Sequence, residues 1–500
     1  MNTFLMPRPK VAILFLLAYL SVSTPISAQS IRFDLGQRLR RLEAQFEKDL
    51  SESARQRVLR PMNQAVRNFF AGRLTDAARG LDQAWVELLP ENQQEAAGWI
   101  SALQVIPEGS LLVAGNTFQF RLENRYENSI EQPDDYEVVC ELKRIGGERE
   151  PMITQVVLPR SDSYAVELQA NSDYLIRVSV QIENQQFPVG ELAVARISDF
   201  TERVNALKAQ VKSGKQAVPP WQRSAMATIK QQVRMLEQWA GPNTLETLLL
   251  PQQELLRLER IAAVADRSDW LPSSLSDLDL QQGSRRLWVK IVGEGRKSAN
   301  IRLALPPQLN PQQQKVPCVI ALHGAGGSEN MFLDTYGDGK IAELCQQRGW
   351  ILVAPRIGLG GVGLPMYQVM EELSKFLPID PEAIVVVGHS MGAQYSLQLI
   401  KELQADDVTM EYPAVAAIGG GRPTRFQKSE SGNLGTKFYV AAGSDDFGRG
   451  GAYGLHQSLT NQSLNSTWKE YSETEHLGIV QVCLEDVFGF FDAVLATQDP

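Results

Sequence analysis

Hydrophobic residues change their spacing several times along the chain, and each change marks a different kind of structure. Leu35, Leu39, Leu42, Phe46 and Leu50 recur at steps of three and four. Val66, Phe69, Phe70, Leu74, Ala77, Ala78 and Leu81 do the same, and Trp85 and Leu88 continue the stripe. Polar residues fill the gaps, so two or three amphipathic helices are predicted over 31–106. From about Pro107 the period falls to two. Phe118, Phe120 and Leu122 alternate with polar residues, and short runs follow at 136–142, 153–158, 164–168 and 174–182. Gly146-Gly147, Ser161-Asp162 and Asn171-Ser172-Asp173 separate these runs. Short strands broken by turn residues predict a small β-sandwich over 107–198. Such modules either bind a partner or serve as spacers; no aromatic cluster or metal-ligand set in the sequence decides between them, and a spacer is the expected reading. A helical pattern returns over 199–272, broken at Pro219-Pro220 and Gly241-Pro242, where proline ends a helix. Trp270 to Ser274 then reads as a linker.

Beyond Arg286 the pattern alternates. Apolar runs at 316–322, 350–354, 383–387, 414–418 and 438–442 are continuous, as strands buried on both faces must be. Helical stretches lie between them at 341–348, 365–376, 391–403, 452–459 and 480–495. This predicts a mostly parallel sheet with helices on both faces over 283–500. The runs at 287–292 and 301–305 are expected to pair antiparallel in front of it. The whole is a multidomain chain, since 500 residues are too many for one core.

Charge and targeting narrow the function. A net charge of -9 argues against a nucleic-acid partner, because phosphate binding needs concentrated Lys and Arg. Arg8 and Lys10 precede an apolar run at 11–22, and Ile26-Ser27-Ala28 offers a small residue for cleavage. Residues 1–28 are therefore expected to be a signal peptide, with an uncleaved anchor as the alternative. The apolar run is shorter than the ~20 residues that span a bilayer. The mature chain is expected to be exported, periplasmic or secreted, with no stable membrane span. Four cysteines, Cys140, Cys318, Cys345 and Cys483, are too few for a disulfide scaffold and match no zinc spacing. A Cys345–Cys483 bridge and four buried thiols are both open.

The chemistry concentrates in the last region. Gly388-His389-Ser390-Met391-Gly392 follows an apolar strand and opens a helix. That is the setting of a nucleophile elbow, whose tight turn admits only small neighbours and lifts the serine to a helix N-terminus. His323-Gly324-Ala325-Gly326-Gly327 follows the 316–322 strand, where the amide of Ala325 is expected to join that of Met391 as an oxyanion hole. Gly324 and Gly326 let this loop approach a substrate, and His323 is expected to hold the loop by a hydrogen bond. A serine needs a base, and the base an orienting acid, in the order serine, acid, histidine. His476 is favoured as base over His456, which falls inside a helix. Asp446 is favoured as acid over Asp445. Glu473 and Glu475 are expected to face water.

These residues resemble the α/β-hydrolase superfamily, in particular compact serine esterases of the polyhydroxybutyrate-depolymerase-like, feruloyl-esterase-like and dienelactone-hydrolase-like groups. The resemblance covers only the last 210 or so residues, from the 323–327 loop through Ser390 and 443–446 to His476. Ala393 stands where the family commonly carries a further glycine. The resemblance implies carboxylic ester hydrolysis without metal or organic cofactor, on a small-molecule or polymeric ester. Prolyl-oligopeptidase-type peptidases look similar too, although about 90 residues of β pattern cannot supply their propeller. An inactive hydrolase scaffold with a binding β-module is the third reading. The short stretch between Gly392 and Asp446 leaves no room for a large lid, so an open site is expected.

Overall fold

The computed structural model describes residues 25–145, 153–213, 219–239, 247–275, 286–295, 297–307, 309, 315–358, 361–406, 408, 410–427 and 434–497. Most of the signal-peptide reading, the Gly146-Gly147 turn and the Gly241-Pro242 break lie outside them.

The first apolar stripes form four helices rather than two or three: α1 (Pro25–Phe46), α2 (Glu52–Phe70), α3 (Leu74–Glu87) and α4 (Glu91–Ser101). The breaks are only a few residues long, which is why the stripes run together in sequence. Ser51 caps α2 by accepting the Ala54 amide at 3.2 Å. The first strand begins at Leu103, inside the stretch read as helical. Eight strands follow: β1 (Leu103–Pro107), β2 (Leu111–Leu112), β3 (Thr117–Asn124), β4 (Glu137–Ile145), β5 (Ile153–Pro159), β6 (Tyr164–Glu167), β7 (Ser172–Ile182) and β8 (Gln185–Arg196). They make one sheet of order β1-β3-β6 and another of order β2-β8-β7-β4-β5. Phe118, Phe120 and Val166 from the first and Val138, Ile176 and Val178 from the second share a core with Leu42, Val58 and Trp85 of the helices.

Helices α5 (Phe200–Ser213), α6 (Pro220–Trp239), α7 (Pro251–Val264) and α8 (Trp270–Ser274) come next. The segment expected to be a linker is α8, and Trp270 is fully buried with its ring edge-on to Phe376 at 5.9 Å. A tryptophan this apolar leaves water when a packed surface is near, and here the large sheet supplies one.

That sheet contains β9 (Arg286–Val292), β10 (Ser298–Ala304), β11 (Val316–Leu322), β12 (Ile351–Pro355), β13 (Ile379–His389), β14 (Ala414–Ile418), β15 (Lys437–Gly443) and β16 (Ser466–Tyr471). Its order is β9-β10-β12-β11-β13-β14-β15-β16. The pairs β9–β10 and β10–β12 are antiparallel and the rest parallel. Between the strands run α9 (Lys340–Arg348), α10 (Met366–Ser374), α11 (Met391–Ala405), α12 (Arg449–Thr460) and, last, α13 (Gly478–Leu495). Alternate residues of each strand feed opposite layers. Val319, Val385, Val387 and Ala416 pack with α9 and α13, whereas Ile320, Ile384, Val386 and Val415 pack with α10, α11 and α12. α6 and α8 lie on this second side, with Ile229 and Trp270 in its core.

Cys345 and Cys483 both lie in the first layer, yet they are free and buried, as are Cys140 and Cys318. The Cys483 thiol points back along its own helix to Val480 O at 3.7 Å, so the bridge does not form.

Candidate active site

Strand β13 runs straight into the site. Ile384 to Val387 are fully buried, and the chain then turns at Ser390 before α11 starts at Met391. Ser390 has φ 56° and ψ −113°, a left-handed conformation that costs a side-chain-bearing residue about 1–3 kcal/mol. The surroundings hold it there: Ser390 N–H donates to Ile418 O at 2.8 Å. The flanking glycines are required by close approach. A Cβ on Gly388 would lie 2.2 Å from Gly392 O, and one on Gly392 would lie 1.9 Å from Leu322 O.

His476, in the loop between β16 and α13, places Nε2 at 2.9 Å from Ser390 Oγ. Its Nδ1 lies 2.7 Å from Asp446 Oδ1, which also accepts the Gly448 amide at 2.6 Å. Asp446 and His476 are buried. With Asp446 ionised, Nδ1 carries the proton and Nε2 is left to accept from the serine hydroxyl. The neighbouring Asp445 is exposed and takes a hydrogen bond from Ser444 Oγ at 2.6 Å. His456 lies on α12, where it pairs with Ser466 Oγ at 2.9 Å. The structure therefore brings Ser390, Asp446 and His476 together and leaves both alternates out.

Glu475 departs from expectation. It is buried, and its two oxygens accept the amides of Leu477 (2.7 Å) and Gly478 (2.5 Å). Unpaired amides at the start of α13 draw the carboxylate inward, which fixes the loop that carries His476. Burial raises its pKa above the usual carboxylate range, against the pull of those two amides.

On the other side of Ser390, Gly327 N–H donates to Gly324 O at 3.2 Å and closes a turn over 324–327. Met391 provides the first amide of α11, which has no acceptor within its helix. His323 is buried: Nδ1 bonds Gly324 O at 2.8 Å, and Nε2 accepts the Ile357 amide at 3.0 Å. It thus ties the loop to the chain after β12. Burial pushes its pKa down to about 4, so it is a neutral strut at pH 7.

Two further groups have no role assigned from the sequence: His389, inside the elbow motif, and Tyr336. His389 Nε2 donates to the carbonyl of His476 at 2.8 Å, and its Nδ1 accepts from the Tyr336 hydroxyl at 2.9 Å. Burial, reinforced by the adjacent His476, holds the His389 imidazole well below its ordinary pKa, hence neutral. The signal for His389 was its rarity, since the chain has four histidines. Tyr336 has no motif around it.

The expected open site is roofed on one side. A cavity of about 120 Å³ lies over Ser390. Its floor includes Gly324, Ala325, Tyr336 and His476, and its wall is formed by Leu35, Leu39, Val66, Phe69 and Phe70 of α1 and α2. Among the described residues, no stretch between the core strands makes this wall. It comes from the opposite end of the chain.

No protein-family model and no curated protein matches the chain. Among solved structures it is similar to the fluorophosphonate-binding serine hydrolase F of Staphylococcus aureus, at 12% identity, covering 41% of this chain and 98% of that one, TM-score 0.33. It is also similar to the feruloyl esterase module of Clostridium thermocellum (15% identity, 42% and 89% covered, TM-score 0.34). A third likeness is to esterase B of Lactobacillus rhamnosis (16% identity, 50% and 98% covered, TM-score 0.34). The strand order β9-β10-β12-β11-β13-β14-β15-β16, with the sharp turn at Ser390 after β13, gives residues 286–495 the α/β-hydrolase fold.

Proposed function

We propose that this chain is an exported serine hydrolase that cleaves carboxylic esters through Ser390, His476 and Asp446. The observation that carries the reading is the continuous path Ser390 Oγ–His476 Nε2, His476 Nδ1–Asp446 Oδ1, at 2.9 and 2.7 Å, on a strained turn. His476 takes the hydroxyl proton as Ser390 Oγ bonds to the ester carbon. The oxyanion accepts from the amides of Ala325 and Met391, and each such donor is worth about 2.7–4 kcal/mol in the transition state. The intermediate collapses, the C–O bond to the alcohol breaks, and His476 returns the proton to the leaving oxygen. Water, deprotonated by His476, then attacks the acyl-enzyme and frees the acid. Asp446 fixes the imidazole tautomer throughout. Export rests on the charged and apolar pattern of the first 28 residues, and would be checked by the N-terminus of the secreted protein.

The test is fluorophosphonate labelling of the purified protein, with mass spectrometry to locate the adduct. Label on Ser390, and none on Ser390→Ala or His476→Ala, is the expected result. Folded wild-type protein that takes no label would overturn the proposal.

The layer behind the triad yields a second expected result. Tyr336→Phe removes the hydroxyl that donates to buried His389 Nδ1, and an unsatisfied buried acceptor costs about 1–3 kcal/mol. Because His389 holds the His476 carbonyl, kcat should fall by about tenfold with KM little changed. Steady-state kinetics on a p-nitrophenyl ester would read this. A raised KM at constant kcat would place Tyr336 in substrate binding instead.

A further inference from the structure

We propose that helices α1 and α2 form the acyl-binding wall of the site, which selects esters of compact apolar acids, up to a single ring or about six carbons. The proposal rests on the serine-hydrolase reading above. Its first support is size and character. The cavity of about 120 Å³ is close to the ~150 Å³ of an apolar protein cavity that stays dry and accepts benzene. Among the described lining residues Arg32 is the one Lys, Arg, Asp or Glu, and it is half-buried. A cationic or strongly hydrated neutral acyl group would lose its water there without gaining partners.

The second support is that the wall is built in. On α1, Glu43 accepts the Gly337 amide, and Gln481 Nε2 of α13 donates to Glu43 O at 3.0 Å and Glu47 Oε2 at 2.7 Å. On α2, Arg55 Nε donates to Ser472 O at 3.1 Å, four residues before His476. Asp82 of α3 binds Arg38 and Arg41 of α1 and so locks the helices to one another. The links through Glu43 and Asp82 are buried, and buried polar links fix a wall in place, whereas a swinging lid would need weak contacts.

The third support assigns the wall to the acid rather than the alcohol. In the acyl-enzyme the acyl carbon is bonded to Ser390 and its oxygen faces the amides of Ala325 and Met391, and the proposal runs the acyl chain along the 324–327 loop. Phe69 covers that loop: a Cβ on Gly326 would come within 2.7 Å of Phe69 Cζ. The alcohol receives its proton from His476 Nε2. It departs past Phe447, which is 62% exposed and lies with its ring 4.0 Å from that of His476. The acid faces the apolar wall, and the alcohol side opens to water past Phe447, whose ring meets Phe70 of that wall edge-on at 5.8 Å.

The experiment measures kcat/KM of the full-length protein on p-nitrophenyl acetate, butyrate, hexanoate, octanoate and dodecanoate. Each methylene that enters the cavity should raise kcat/KM by about fourfold, up to butyrate or hexanoate, with a decline beyond. Phe69→Ala should move the optimum to longer acids, and Val66→Phe should move it to acetate, each changing the hexanoate-to-acetate ratio by about tenfold or more. A parallel series of butyrate esters with different alcohols should keep its order in both variants. Fluorophosphonate labelling of every variant reports whether Ser390 is folded and reactive. Labelled variants with the wild-type acyl profile, or with a shifted alcohol profile, would overturn the acyl-wall proposal alone. Wild-type protein that neither labels nor hydrolyses any ester would overturn the serine-hydrolase reading beneath it.

Discussion

Replacing Ser390 with alanine is expected to lower kcat on p-nitrophenyl butyrate by about 10⁶-fold, and His476→Ala added to it should cost almost nothing more. The two groups act in one proton transfer. Nε2 of His476 has no task once the hydroxyl 2.9 Å away is gone, and the hydroxyl is a poor nucleophile without Nε2. Asp446→Asn should cost less, about 10⁴-fold, because the amide offers N–H where His476 Nδ1 needs an acceptor and so favours the wrong tautomer. A double mutant whose losses multiply would mean that Ser390 and His476 act separately, which the proposed mechanism does not allow.

Asp334→Ala is expected to destabilise the fold by about 3–5 kcal/mol, the usual cost of leaving a buried charge without its partner. Asp334 accepts from Arg302, from Thr247 and from Arg286 Nη1, the last at 2.7 Å. Arg302 is buried, stacked on Trp288 at 4.0 Å and bonded to Asn330 Oδ1 at 2.8 Å, so its charge depends on the carboxylate for compensation. Burial raises the Asp334 pKa, but Arg302 and Arg286 outweigh it and leave the carboxyl below its ordinary value. A carboxylate depressed in the folded state stabilises it above the unfolded pKa of about 3.9 and loses that contribution as pH falls through the folded value. The variant should therefore lose most stability at neutral pH and differ less from wild type in strong acid. Urea unfolding at several pH values measures this. Replacing both partners, as Asp334→Leu with Arg302→Met, should recover part of the loss. A fully additive double mutant would show that the pair is not coupled. The site is involved as well, since the turn at Met331–Thr335 carries Asp334 and leads directly into Tyr336.

The part of the site legible in the sequence is the part encoded by neighbours in the chain. An apolar run with no polar interruption has to be a strand covered on both faces, and a serine between two glycines at its end has to be a tight turn into a helix. Ser390, the 323–327 loop and the order of acid and histidine after them follow from such local patterns. So does the alternation of strands and helices beyond Arg286. Local pattern also has limits. Four N-terminal helices ran together as two or three because Ser51 and Gly72 interrupt the stripes so briefly.

What only the tertiary structure decided concerns contacts between segments far apart in the chain. Asp445 and Asp446 are chemically the same, and a strand end 30 residues before His476 determines which one reaches it. Glu475 looks like a solvated loop carboxylate until α13 presents two unpaired amides beside it. Phe69 and Phe70 belong to an ordinary amphipathic stripe, and nothing in its period distinguishes residues that fill a helical core from residues that roof a distant serine. Periodicity records which face of an element leaves water. Which surface receives that face depends on the packing of the whole chain, and here that packing puts the N-terminal helices over Ser390.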